Sequence, residues 1–369
     1  MDHLSNTTEK RQSTLIMAMR FPLIVMVIIC HSLGFSNYHI SLSTDKWNIY
    51  HFFSELISHN LCQLTVCWFF VFSGYLFFYN LPQNGLTGEW LITKWKRRFW
   101  TLLIPYFIWN TLPMFAKYVK EHFLVLLGMQ EAGTAPASLF SGFNPLPRFL
   151  LGPANFPLWF MRDLIIMSIL APAVYFIFKH IPRRVGIIVL FVLFLLPFET
   201  PVLTWRGYFF FSLGAFLGIH KLNMLSICRK VKWHAAIMAV ILLITATLFN
   251  DAPFHDWLLR VFYPFGMITF MNIIDRLIDN KKWCEILCKL SSAVFFIYAV
   301  HEIYILGWTK GMFLRIFGDG LLGTWIRYLF VPVVVLFVCL GLYYLLNKIM
   351  PRTLAFICGG RSNKVVKAK

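Results

Sequence analysis

Charge is what this sequence has least of: only 14% of its 369 residues are Asp, Glu, Lys or Arg, where a soluble domain carries roughly 25%. With 59% hydrophobic and 18% aromatic residues, that shortage excludes a disordered chain and argues strongly against a water-soluble globule. Acid is the scarcer sign, 16 residues against 34 Lys and Arg, for a net charge of +18. Such an excess raises the question of nucleic acid, so the placement of the cations must decide the partner. Eight cysteines show no metal-type pairing and read as small apolar thiols. The first apolar run follows Lys10 and Arg11 but lacks the small-residue cleavage site of a secretory signal, so it reads as a retained span. Neither an internal repeat nor a low-complexity segment nor a soluble domain is visible.

What the chain does have is long apolar windows, and a helix needs about 20 such residues to cross roughly 30 Å of hydrocarbon. Ten windows qualify, near 13–36, 52–79, 99–127, 157–178, 184–198, 205–220, 232–250, 257–275, 290–312 and 325–348. The fifth and sixth are short; Pro197, Glu199 and Pro201 interrupt them, which predicts two spans with a tight turn, one bent element being the alternative. Twenty-four of the 34 basic residues fall in alternate loops or termini on one side, nine on the other, and Arg162 inside a span. The positive-inside rule then puts both termini in the cytoplasm. The expected fold is all-α, a polytopic membrane protein of about ten transmembrane helices. Residues 1–350 form one domain and 351–369 a basic cytoplasmic tail. The excess charge serves topology and contact with the lipid bilayer, and nucleic acid is not an expected partner. The longest loop, 129–156, is rich in Gly and Pro and is expected to form a partly ordered outer lid.

An ionisable residue inside a span costs at least about 2.5–3.5 kcal/mol on insertion scales, so each is a functional candidate. Arg20 and His31 stand 11 residues apart in the first span, on one helical face and roughly 16 Å apart along the axis. Arg20 lies near the cytoplasmic edge, where it either snorkels or holds a phosphorylated carrier; His31 lies beyond the midplane and can move a proton. His301 and Glu302 fall near mid-depth in the ninth span, level with His31 if the helices are neighbours. The fourth span opens with Trp159 at the outer interface, then Arg162 and Asp163. Consecutive helical residues diverge by about 100°, so the two are not expected to neutralise each other, and each should need a partner on another helix or a ligand. His51, Glu55 and His59 form an i, i+4, i+8 stripe at the membrane edge, where solvated polar groups are cheap, and no metal site is expected. Ser73-Gly74 reads as a helix-packing notch. Lys94, Lys96, Arg97 and Arg98 precede the third span as either a lipid anchor or a dock for donor phosphates.

Taken together these segments resemble the acyltransferase-3 family of integral membrane acyltransferases. Arg20 to His31 matches its R-x10-H pattern, FFVFSGYLFF its FF-x-x-SG-[FY]-L segment, and KRRFWTLLIPYFIW its basic stretch with a Pro-Tyr step. LWFMRDL matches its Trp-Phe span and FIYAVH its late Tyr-x-x-His helix. These occur in the family's order from about residue 15 to about residue 305. Where many members carry R-x-x-R, Lys94 and Arg97 keep the spacing here. The resemblance implies an O-acyltransferase of the cell (inner) membrane that takes an acyl group, commonly acetyl from acetyl-coenzyme A (acetyl-CoA), and places it on a hydroxyl of a surface carbohydrate. It makes Arg20 and His31 central and implies no permanently bound cofactor.

Attack of an alcohol on a thioester needs a base and oxyanion donors. His31 could be that base or carry the acyl group covalently, with Asp163, Glu55 or Glu302 orienting its ring. Arg20 and the 94–98 cations suit the donor, and Trp159 suits the carbohydrate acceptor. A homo-oligomer or glycan-assembly proteins are conceivable partners. The alternative classes are a transporter or exporter, which would show inverted repeats and discontinuous helices, and a non-enzymatic assembly subunit.

Overall fold

The computed structural model of the chain describes residues 2–33, 38–41, 43–126, 149, 151–196 and 198–361. Helix dominates, as the apolar windows require when no water is available to satisfy backbone groups. Among the described residues the sole β pairing is an isolated bridge between Thr200 and Leu203. The first helix, α1 (Asp2–Ser32), runs through Pro22 without a break. The second, α2 (Lys46–Phe78), is capped by Asp45, whose carboxylate accepts from the N–H groups of Trp47 and Asn48. A π turn at Glu55–Asn60 and a 3-10 turn at Leu61–Gln63 interrupt its register.

An amphipathic helix, α3 (Gly88–Arg98), leads through a π turn into α4 (Ile104–Leu126). There follow α5 (Trp159–Ile169), α6 (Ala171–His180) and α7 (Arg183–Leu195). Next come α8 (Trp205–Ile219), α9 (Met224–Lys230), α10 (Lys232–Leu248) and α11 (His255–Leu277). The chain continues with α12 (Lys281–Leu290), α13 (Val294–Val300), α14 (Leu306–Phe317), α15 (Leu321–Ile349) and the short α16 (Pro351–Ile357).

A helical element stands at each of the ten expected places, yet four helices are long and apolar enough to cross a membrane alone, and up to seven are if each bent pair is one span. The pairs bend by 55° between α5 and α6, 105° between α8 and α9, and 48° between α12 and the α13–α14 unit. The elements at 99–126, 183–195 and 232–248 fall short of that standard by length or composition. The stretch 184–220 is two helices separated by the Thr200–Leu203 turn, as the interrupting residues predict. Of the expected lid, 129–148 and 150 lie outside the described residues, as do Pro197 and tail residues 362–369.

The C-terminal half of α2 packs on α8 at backbone contact. A Cβ at Gly74 would sit 2.1 Å from the Phe211 carbonyl oxygen, and one at Gly214 would sit 2.1 Å from that of Val71. The Ser73-Gly74 pair is therefore a reciprocal notch, the way membrane helices gain dispersion energy when lipid competes for every apolar side chain. At the end carrying most of the basic loops, Asp275 accepts from Arg11 at 2.7 Å and from Arg229 at 2.7 Å, tying α1 and α9 to the end of α11. Two cations of the topological set thus also clamp helices together. All eight cysteines are free.

Candidate active site

The last turn of α1 presents His31, and the ninth expected span presents His301 where its helix breaks. Between α13 and α14 the chain makes a π turn at His301–Ile305, with Tyr304 in the left-handed region at φ 61°. The break lets Glu302 turn toward both imidazoles: its Oε2 lies 3.8 Å from His31 Nδ1 and 4.0 Å from His301 Nε2, with the two rings 5.4 Å apart. Neither approach is yet a hydrogen bond.

His301 is fully buried, and its Nδ1 donates to the carbonyls of Tyr298 at 2.9 Å and Ile297 at 3.1 Å. A carbonyl can only accept, so Nδ1 carries a hydrogen, and Nε2, which has no hydrogen-bond partner, is turned to the cluster. Lys310, on α14, donates to the His31 carbonyl at 2.7 Å and anchors the end of α1. The tyrosine of the Tyr-x-x-His segment acts twice. The Tyr298 carbonyl orients His301, and its hydroxyl donates to the Pro157 carbonyl. With Asn155 donating to the Ala299 carbonyl at 2.9 Å, this holds 155–158 so that Phe156 packs edge-on to His31, 5.9 Å between centroids.

Arg20 belongs to a different place. It lines a cavity of about 870 Å³ together with Lys94, Arg97, Arg98 and Arg361, and no Asp or Glu lines it. Arg98 donates to the Ser73 carbonyl at 3.2 Å, and Lys94 sits 4.9 Å over the Trp90 ring. Burial pushes the Lys94 ammonium down to about 8, and the charges of Arg98 and Arg97 act in the same direction. Lys96 is exposed and does not line this cavity.

A second cavity, about 830 Å³, opens at the other end of the α2–α8 pair, where α8 begins. Trp159, Trp205, Trp257 and Tyr263 give it aromatic walls, Glu199 and Asp256 give it carboxylates, Arg162, Arg206 and Arg260 give it guanidinium groups, and Phe156 separates it from His31. It adjoins a polar cavity of about 560 Å³ through Arg206, Asp256 and Leu259. Glu55 lies in that neighbour, bound to His59 Nδ1 at 2.7 Å rather than to His31.

Arg162 and Asp163 correct one half of an expectation and meet the other, since they pair with each other and each also finds partners on other segments. Arg162 Nε and Nη2 both donate to Asp163 Oδ1, at 3.1 and 3.0 Å, so the adjacent residues do neutralise each other. The 100° rule governs Cβ directions, and a long arginine side chain can fold back across it. Asp163 Oδ2 accepts from the Thr204 N–H at 2.9 Å and hydroxyl at 2.7 Å, while Arg162 Nη1 donates to the Leu151 and Pro201 carbonyls. The pair staples the loops rimming the second cavity and leaves Asp163 saturated, away from His31. Among the described residues no group of three His, Cys, Asp or Glu could hold a metal.

The chemistry of these sites, a paired-histidine cluster between an all-cationic and an aromatic cavity, fits group transfer, and comparison with known proteins decides the class. The family model described as an acyltransferase domain matches residues 16–344. The chain belongs to the acyltransferase-3 family. It is accordingly an O-acyltransferase, which sets aside the transporter and assembly-subunit readings in spite of the broken ninth span. The chain is also 26% identical over 323 residues to the succinoglycan biosynthesis protein ExoH of Rhizobium meliloti (strain 1021), covering 83% of this chain and 81% of that protein. No solved structure matches it significantly. Within this acyltransferase-3 chain, three residues at the sites went unnoticed in the sequence. Lys310 and Arg361 read there as ordinary flanking cations, and Phe156 as one apolar residue among many.

Proposed function

We propose that this enzyme moves an acyl group, acetyl on our reading, from cytosolic acyl-coenzyme A to a hydroxyl of a cell-surface polysaccharide or its precursor. In this reading the chain makes ten passes through the inner membrane, bent elements included, with both termini cytoplasmic. The observation that carries it is the pair of unlike cavities at opposite ends of one helix pair. Five cations without a carboxylate suit the phosphates of the donor. Indole faces among both carboxylates and guanidinium groups suit a sugar, whose apolar faces stack on aromatics while its hydroxyls donate to the acids and accept from the arginines. A relative named for succinoglycan biosynthesis points to the same acceptor class.

Arg20 and the Lys94, Arg97 and Arg98 side chains would hold the donor phosphates, while the long pantetheine arm reaches the thioester toward His31, roughly 16 Å along α1. The acceptor hydroxyl, delivered past Trp159 and Phe156, would attack the thioester carbonyl carbon as His31 takes its proton. Glu302 would stabilise the imidazolium, the carbon–sulfur bond would break, and the same proton would pass to the leaving thiolate. His301, fixed through Nδ1 with Nε2 turned to the cluster, would orient the reacting hydrogen bonds. Purified enzyme in lipid nanodiscs should transfer acetyl from acetyl-CoA to the polysaccharide as a base-labile ester, and His31→Ala should abolish transfer with the protein still folded. Full transfer by that variant overturns the role given to His31. Identical ester content in the polysaccharide of cells with and without the protein overturns the acceptor.

A further inference from the structure

Residues 351–361 lie beyond the family match, which ends at 344, yet they build one wall of the cationic cavity. They are docked there. Leu354 and Cys358 are buried, and the Trp109 indole N–H donates to the Ile357 carbonyl at 2.9 Å. The helix α16 ends in two left-handed glycines, Gly359 at φ 66° and Gly360 at φ 75°, whose N–H groups return to the carbonyls of Phe356 and Ala355. A side chain at Gly359 would meet the Thr101 backbone at 2.8 Å, so this close turn requires glycine on two counts.

The turn delivers Arg361. Its guanidinium stacks 4.2 Å over the Phe295 ring, and its Nη1 is buried with no hydrogen-bond partner. The other charged residues lining the cavity are Arg20, Lys94, Arg97 and Arg98, all of the same sign. Burial pushes the guanidinium down to about 10, with Arg98 and Arg20 repelling it further. A half-buried guanidinium with a buried, unused donor, facing four like charges, is an arrangement that disfavours the resting fold and favours an arriving anion. A mere topological anchor would instead sit in headgroups or water, where its charge costs little.

We infer that Arg361 is a direct ligand for a phosphate group of the acyl donor, so that the C-terminal segment completes the donor site. This rests on the donor reading above and adds a residue outside the matched domain. The guanidinium fork supplies paired donors to phosphate oxygens, and Phe295 fixes its plane.

The test uses the full-length enzyme in nanodiscs and measures coenzyme A binding by calorimetry for wild type, Arg361→Gln, Arg361→Lys and Arg98→Gln. Loss of one charge-assisted hydrogen bond should weaken coenzyme A binding about tenfold to a hundredfold in Arg361→Gln. Arg361→Lys should recover part of it. Pantetheine, which has no phosphate, should bind wild type and Arg361→Gln alike. Without ligand, Arg361→Gln should melt no lower than wild type, since it removes a repelled charge. If Arg98→Gln weakens coenzyme A binding and Arg361→Gln does not, the role of Arg361 is overturned and the donor reading stands. If neither does, the donor reading falls as well. A large drop in melting temperature that Arg361→Lys fails to restore would make the residue structural and overturn the inference.

Discussion

Replacing Glu302 by Gln isolates the electrostatic part of the proposed mechanism. In the resting enzyme Glu302 Oε2 accepts no hydrogen bond, so the amide loses none and the melting temperature should not change. The difference arises when His31 takes the hydroxyl proton and becomes a cation 3.8 Å from the carboxylate. Two unit charges at that separation attract by about 4 kcal/mol at an effective dielectric constant of 20. The Glu302 side chain is 34% exposed, and solvent screening reduces the useful part to about 1.5–3 kcal/mol. At 1.36 kcal/mol per decade, kcat should fall about tenfold to a hundredfold. The assay is steady-state transfer of labelled acetyl in nanodiscs, with donor and acceptor varied separately. The loss should appear in kcat with both KM values unchanged, and Glu302→Asp should fall between the two. A kcat within twofold of wild type, or a loss confined to donor KM, would refute the assignment.

The helix contact supplies a second prediction: Gly74→Val must move the Phe211 carbonyl oxygen from 2.1 Å to ordinary contact beyond 3.4 Å. This should cost about 1–3 kcal/mol in thermal or denaturant unfolding. Gly341→Ala, with open space around it, is the control that should be neutral. Donor binding should weaken with rising pH, because Lys94, lowered to about 8 by burial, loses its charge through that value. Donor KM measured from pH 7 to 9 should rise and Lys94→Arg should flatten the profile; a flat wild-type profile removes Lys94 from the site. Trp159→Ala should raise acceptor KM about three- to tenfold through lost stacking, leaving donor KM alone. Equal shifts in both constants would place the indole elsewhere.

Much of the site was legible because it obeys local rules. The 11-residue separation of Arg20 and His31 puts them on one helix face, and their differing depths point to different tasks. The structure does place Arg20 in one cavity and His31 in another cluster. Which carboxylate meets His31 was not legible, since Asp163, Glu55 and Glu302 differ only in tertiary position. Glu302 reaches it through a π turn at His301–Ile305 that contains neither Pro nor Gly. A hydropathy window also hides the bend inside the fourth expected span, because it averages across Ile169 and Ala171 even though Pro172 opens the next helix. Arg361 escaped for the opposite reason: its surroundings in sequence fit the positive-inside rule so well that nothing marked it as part of a cavity wall.

The cationic cavity has one more consequence, in the order of biosynthesis. Its walls come from Arg20 near the start of the chain, from residues 76–101, and from 355–361 after the last long helix. A ribosome-bound chain therefore cannot hold the complete cavity until the helices before residue 355 have been inserted and 355–361 have left the exit tunnel. Partly made enzyme in the membrane has nothing with which to draw on the cell's pool of activated acyl groups.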